Sequence, residues 1–474
     1  MKTIIHWFRR DLRVSDNVAL SEAARRAETV IPVFIFEDAF RTGPDVGAAR
    51  LTFLLQSVES LRHNLQELGH TLVIRCGKSE DILPQLCREA GAQAVFANKR
   101  YEPYAQRRDE RLTGILHAAG FGLELFKDAV VWEETEILTQ AGNPYTVFTP
   151  YSKAWKAKPV PLPRAKFKRQ ELAARNQKLR SDPLPATTAE IGYPLTQTIP
   201  PGGERAALAL LRKFMAGLVY DYGDHRNFPA VDGTSTLSPH LRAGTIGIRT
   251  ILAELNQAKE KAASGLRPVE RANGCNVFQS ELIWREFYLQ VLHNFPHVTK
   301  GAFRPEYDRL AWSENQEQFA AWCEGKTGYP IVDAAMRCLN ATGTMHNRLR
   351  MIVAMFLTKD LLISWQWGER YFMRQLVDGD MAANNGGWQW SAGTGTDAAP
   401  YFRIFNPVSQ GEKFDAGGKF VRRWIPELKD FSDDLIQQPW ENPLLLSKSK
   451  YPSRVVLHEV QRGKCLALFK AVKG

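Results

Sequence analysis

The segment Asp378-Gly379-Asp380-Met381-Ala382-Ala383-Asn384-Asn385-Gly386-Gly387-Trp388-Gln389-Trp390 gathers two carboxylates, two asparagines and two indoles within 13 residues. A structural turn has no use for that assembly, so the segment reads as part of a functional site. Its adjacent glycines each disfavour a helix by ~1 kcal/mol relative to alanine, so a regular helix is not expected there.

A second constellation is Glu281-Leu-Ile-Trp284-Arg285-Glu-Phe-Tyr288. The i, i+3, i+4, i+7 spacing places Glu281, Trp284, Arg285 and Tyr288 on one helical face. Such a face reads an aromatic ligand by stacking and hydrogen bonding; a core tryptophan beside a surface ion pair fits the same pattern. In Met345-His346-Asn347-Arg348-Leu349-Arg350-Met351, Asn347 and Met351 lie one helical turn apart and can share a pocket, although a methionine at that spacing also serves as core filler. Gly233-Thr234-Ser235-Thr236-Leu237-Ser238-Pro239 concentrates hydroxyls before a proline suited to a first helical turn, with Ser238 expected as the N-cap. Hydroxyls and backbone N–H groups at a helix start suit a pyrophosphate, and they equally make an ordinary capped turn.

The elements that must position these groups fall into two kinds. Apolar runs at Ile4–Phe8, Val30–Phe36, Thr71–Arg75 and Ala94–Ala97 alternate with helical patterns at Ala19–Ala27, Ala48–Leu68, Ser79–Glu89 and Ala105–Ala119. That alternation predicts a mostly parallel sheet with helical crossovers over residues 1–130. No glycine-rich dinucleotide fingerprint follows the first run, so a nucleotide cofactor is expected elsewhere. Residues 131–202, interrupted by Pro159, Pro161, Pro163, Pro183 and Pro185, read as a long connector over the surface. From Gly203 to about Leu376 helical periodicity dominates, with patterns at Gly203–Phe214, Ile246–Ala263, Asn276–Phe295 and Met345–Ile363, and residues 203–474 are expected to form a nearly all-helical second domain.

Composition narrows the partners. A net charge of +11 and a pI near 9.3 favour a polyanion. Lacking a lipid anchor or an apolar run long enough to span a membrane, the chain is expected to meet nucleic acid in the cytoplasm. Its six scattered cysteines show neither disulfide nor metal spacing, and no metal site is expected. Of 12 tryptophans, all but Trp7, Trp132 and Trp155 lie beyond residue 280, which suits core packing, stacking on bases or electron hopping.

Read together, Trp7-Phe8-Arg9-Arg10-Asp11-Leu12-Arg13, Thr234–Ser238, Trp284–Tyr288, Lys326-Thr-Gly-Tyr-Pro-Ile-Val-Asp-Ala-Ala-Met336, Asn384–Trp390 and Arg403-Ile-Phe-Asn-Pro407 span almost the whole chain. They resemble the photolyase/cryptochrome family, specifically its class I cyclobutane pyrimidine dimer photolyases. The resemblance implies an amino-terminal Rossmann-like antenna domain, an all-helical catalytic domain, and FAD held in a U shape, active when reduced and anionic. Tyr222, Thr234, Ser235, Thr236, Leu237, Ser238 and Arg285 match positions that hold the phosphates and linker. Asp378, Gly379, Asp380 and Asn384 match those around the isoalloxazine ring and sugar, with Asn384 facing N5.

The same resemblance assigns a lesion pocket to Glu281, Trp284, Asn347, Met351 and Trp390, with Glu281 as proton donor to a pyrimidine carbonyl if it is desolvated enough. It assigns DNA backbone contacts to Arg226, Arg348 and Arg403, and a tryptophan relay to Trp388, Trp365 and Trp312. The implied partner is ultraviolet-damaged DNA carrying pyrimidine dimers, bound by a monomer that visits the bacterial nucleoid during repair. Glu102-Pro103-Tyr104 with Arg108-Asp109 resembles relatives that bind a deazaflavin antenna, whereas the Asn-Glu pair of methenyltetrahydrofolate-binding relatives is replaced by Tyr104-Ala105. Thr344 stands where the family usually has tryptophan, which leaves the packing beside the lesion or adenine pocket open. Two rivals remain: a cryptochrome-like photoreceptor and a (6-4) photolyase, the latter disfavoured because His346-Asn347 replaces the usual paired histidines.

Overall fold

The computed structural model describes residues 1–474 except 44, 166–178, 265–266 and 474. Five strands, β1 (Thr3–Phe8), β2 (Thr29–Phe36), β3 (Val73–Cys76), β4 (Ala94–Asn98) and β5 (Gly122–Phe126), form an all-parallel sheet in the order β3-β2-β1-β4-β5. Alternate side chains of β1 feed separate apolar clusters, Ile4 and Phe8 on one face and Ile5 and Trp7 on the other. Burial on both faces is why this strand reads as a continuous apolar run. The edge strand β5 was not anticipated; its half-exposed GLELF lacks such a run.

Ligands of open parallel sheets usually bind at the carboxyl ends of the strands where the order reverses, here between β1 and β4. The chain's own polar groups fill that crevice. Asn98 Nδ2 donates to Asp11 Oδ2 at 2.7 Å, and Arg9 Nη1 donates to both oxygens of Asp109 at 2.8 and 2.7 Å. Arg108, which the resemblance associates with an antenna site, pairs with Glu37 at 3.0 Å and with Asp109 at 2.9 Å. The structure thus uses Arg108-Asp109 as a structural ion cluster.

The connector does not run only over the surface. Its helix Phe148–Lys156 buries Tyr151 and Trp155, and Glu286 holds Trp155 Nε1 at 2.7 Å while accepting from the backbone N–H groups of Val131 and Trp132. Burial pushes the Glu286 carboxyl up to about 7 despite those three donors. Part of the connector lies outside the described residues.

Everything after residue 203 that is regular is helical, as expected. Two expectations fail in instructive ways. The helix opening at Asn347 runs only to Met355 and passes into a π turn, Phe356–Asp360. Conversely, Met381–Ala392 is helical straight through Gly386 and Gly387. Tyr288 lies so close that a Cβ at Gly386 would collide with its ring, so tight helix packing outweighs the glycine propensity cost.

Candidate functional site

The helix Met381–Ala392 packs against both Pro268–Asn294 and Asn347–Met355, and the hydroxyl-rich run before residue 239 joins Pro268–Asn294 through Leu237, buried in one apolar cluster with Phe278, Leu282 and Ile283. Pro268–Asn294 turns Leu282, Ile283, Glu286 and Phe287 inward and leaves Glu281, Trp284, Arg285 and Tyr288 half-buried on the predicted face. Arg226 Nη1 donates to Glu281 Oε1 at 2.6 Å. Arg226, expected on the DNA backbone, thus sits on the carboxyl expected to donate a proton if desolvated.

Trp284 is stacked on Phe148 with 3.7 Å between ring centroids and 5° between planes. Asn347 is exposed at the start of its helix and Met351 is half-buried one turn later. Arg348 lies 4.3 Å over the Phe414 ring and donates to Asn227 at 2.6 Å; Arg403 is exposed. His346 Nδ1 accepts from the Arg348 backbone N–H, so its proton belongs on Nε2, which has no partner among the described residues. Burial lowers this histidine to about 4. Thr344 shares a 2.8 Å hydrogen bond between hydroxyls with Thr342 in the turn ahead of that helix, a small polar contact in place of an indole.

On the facing side, Asp380 is the N-cap of Met381–Ala392, accepting from Ala382 and Ala383, and also pairs with Arg10 at 3.0 Å. Arg350 Nη2 donates to both oxygens of Asp378, at 3.0 and 2.8 Å. Asn384 Nδ2 donates to the Glu369 carbonyl at 2.9 Å, which leaves Oδ1 without a protein partner among the described residues. The Glu369 carboxyl accepts from Asn385 at 2.9 Å and is pushed up to about 7 by burial. Trp388 is 2% exposed and walled by Phe372 and Trp322, with ring centroids 5.0 and 6.0 Å away. Trp365 is buried in the same apolar cluster, and Trp312 packs against it half-buried. Trp390 is half-buried.

The hydroxyl run is less regular than predicted. Leu237, not Ser238, occupies the cap position, Pro239 lies in the first turn, and the helix Ser238–Ala243 has no side-chain cap. A left-handed backbone at Thr236, with φ 52°, displaces the cap by one residue. Ser235 is half-exposed and Thr236 and Ser238 are exposed, while Tyr222 is buried among Phe214 and Phe278. Arg285 Nη1 donates to the Ala129 carbonyl at 2.7 Å, tying this helix to the end of the α/β region.

Three features fit a flavin in this space. Asn384 Oδ1 and His346 Nε2 are an acceptor and a donor lacking protein partners among the described residues. A Cβ at Gly387 would meet nothing within 4 Å, so that helix offers bare backbone to a planar ring.

Sequence reasoning missed a second cluster between the α/β and helical regions. Arg10 pairs with Glu102 at 2.5 Å as well as Asp380, Arg242 donates to the Gly379 carbonyl at 3.2 Å, and Arg50 donates to the carbonyls of Met373 and Asp45. Burial and neighbouring guanidinium charge push Arg50 down to about 10 and Arg242 also down. No local motif joins residues so distant in sequence. The same holds for Glu369, Phe148 and Trp322.

The architecture is that of photolyases and cryptochromes. It superposes on a bacterial class III photolyase from Agrobacterium tumefaciens with a TM-score of 0.89 and 38% identity, covering 100% of this chain and 98% of that one. A Synechocystis cryptochrome matches with a TM-score of 0.87 and 28% identity, covering 99% of each chain. Residues 4–167 match the DNA photolyase family and residues 278–471 the FAD binding domain of DNA photolyase. Deoxyribodipyrimidine photo-lyase of Vibrio cholerae is 41% identical over 482 residues, 99% of each chain, and that of Escherichia coli is 40% identical over 487 residues, 100% of this chain and 99% of the relative. The chain belongs to the DNA photolyase family.

Proposed function

We propose that the protein splits cyclobutane pyrimidine dimers in DNA under blue or near-ultraviolet light, as a class I photolyase. The observation that carries this reading is the pairing of Glu281 with Arg226 beside Trp284, on a helix packed directly against the one bearing Asn384, Trp388 and Trp390. Reduced anionic FAD, when bound, supplies the electron that light transfers to the lesion. We assign its retention to Tyr222, the run Thr234 to Ser238, Arg285, Asp378 to Asp380, and Asn384.

A pyrimidine dimer has lost normal stacking and pairing, so it is extruded at lower cost than an intact base. Trp284 and Trp390 offer it indoles, and stacking returns ~1–3 kcal/mol per base. Asn347 and Met351 close the pocket floor. Arg226 brings positive charge to where the pyrimidine gains negative charge, and Glu281 orients that guanidinium while facing the base edge. Arg348 and Arg403 take the phosphates. Trp388, Trp365 and Trp312 carry electrons inward from the surface.

Repair of a thymine-dimer oligonucleotide by the reduced holoprotein is the decisive assay. We expect splitting only in light. Loss of a charge-assisted hydrogen bond worth ~1.5 kcal/mol should make Glu281→Ala about tenfold slower. A flavin-loaded, reduced protein that splits nothing in light would hand the assignment to the photoreceptor reading.

For the second chromophore we favour deazaflavin over methenyltetrahydrofolate. Arg10, Arg50 and Arg242 crowd positive charge at the boundary of the two regions, an unfavourable arrangement that an anionic ligand relieves. A hydroxylated deazaflavin ring ionises to an anion, whereas the methenyl folate ring is a cation. Arg50→Leu should weaken deazaflavin binding about tenfold, or ~1.4 kcal/mol, in a reconstitution titration. Unchanged binding would remove the site from this cluster.

A further inference from the structure

We propose that Phe148, on the connector, is a positioning residue of the lesion site; the proposal rests on the photolyase reading above. Its ring lies parallel to Trp284 at 3.7 Å with 5° between planes, a full face-to-face contact. One face of the indole is therefore covered by protein. An extruded base meets the remaining face or edge in a plane that is already set. Trp284 is further braced by Phe287, edge-on at 5.6 Å, and Tyr288, tilted at 5.5 Å.

The connector is itself held on both sides. Asp397 Oδ2 accepts from the Phe148 backbone N–H at 3.1 Å, and Thr396 Oγ1 donates to the Thr146 carbonyl at 2.5 Å. Gln290 Nε2, on the Trp284 helix, donates to the Tyr145 carbonyl at 2.8 Å. Asp397 adopts a left-handed backbone, φ 44°, in the turn that follows Trp390 and leads to Arg403. Segment 145–148 thus bridges the helix bearing Trp284 and the loop beyond Trp390. The pre-set plane spares the cost of ordering a tryptophan when damaged DNA binds. Undamaged duplex never reaches the indole and draws no benefit from it.

The test is dark binding of the holoprotein to a thymine-dimer oligonucleotide and to its undamaged counterpart. Phe148→Leu is expected to weaken dimer binding about tenfold and leave undamaged binding unchanged, with Phe148→Tyr restoring it. Asp397→Ala, which releases the Phe148 N–H, should weaken dimer binding in the same selective way and keeps the test open if Phe148→Leu does not fold. Equal weakening on both DNAs, or none, overturns the role of Phe148. A wild-type protein that does not discriminate the two DNAs overturns the photolyase reading itself.

Discussion

Asp128→Ala should destabilise the protein by about 3–5 kcal/mol, the cost of removing one partner from a buried ion pair. Asp128 follows β5 and accepts from Arg13 at 2.8 Å and from Arg249 at 2.6 Å, with side-chain exposures of 2, 2 and 6%. Arg13 belongs to the turn after β1 and Arg249 to the helix Ile248–Ala263, so one carboxylate joins the α/β and helical regions. Asp16 completes the cluster by accepting from Arg249 Nε at 2.9 Å. Without Asp128, Arg13 loses its hydrogen-bonded carboxylate and keeps backbone carbonyls, while Arg249 keeps only one carboxylate, that of Asp16. At roughly 2.1 cal/mol/K per residue for the unfolding entropy, the loss corresponds to a Tm lower by about 3–5 °C if unfolding is cooperative.

The pH dependence has a definite sign. Burial acts to raise the Asp128 pKa, but the charges of Arg13 and Arg249 outweigh it and hold the carboxyl below its ordinary value. The stabilisation is complete above the unfolded value of about 3.9 and is lost as pH falls through the lower native value. Melting curves of wild type and Asp128→Ala should therefore lie furthest apart near neutrality and converge in acid. A constant gap down to the acid limit would show that the carboxylate charge is not what stabilises the fold.

Trp388→Phe should slow light-driven reduction of the oxidised holoprotein by a thiol on the order of a hundredfold, equivalent to ~2.7 kcal/mol of barrier. Phenylalanine fills the same apolar wall but is far harder to oxidise than indole. Protein reduced chemically in the dark should still repair dimers, which separates the relay from the splitting step. Gly368→Ala tests the geometry of the same indole. Gly368 lies one turn after Trp365, and a Cβ there would collide with the Trp388 ring, which Phe372 and Trp322 hold from other sides. Overpacking of this kind costs typically 1–3 kcal/mol. Photoreduction that survives Trp388→Phe undiminished would place the relay elsewhere, with Trp322 the first aromatic to examine.

Much of the fold was legible because local signals sufficed. Strands β1 to β4 are apolar on both faces and are announced by their own residues; β5, a half-exposed edge, is not. The face carrying Glu281, Trp284, Arg285 and Tyr288 follows from helical spacing alone. Several candidate site residues likewise lie in one contiguous motif, Asp378–Trp390. What the residues could do there was decided by partners far away in the chain. Tyr288 lets a helix run through Gly386 and Gly387. Arg226 claims Glu281 from 55 positions away, and Glu37 and Arg9 draw Arg108-Asp109 into a structural ion cluster. Periodicity and propensity depend on near neighbours, whereas hydrogen-bond partners, buried charge and close packing depend on which segments the completed core brings into contact. The amino-acid sequence by itself determined the two kinds of architecture and the chemical inventory of the site; tertiary structure alone decided how the inventory is paired, because pairing is a matter of distance in space.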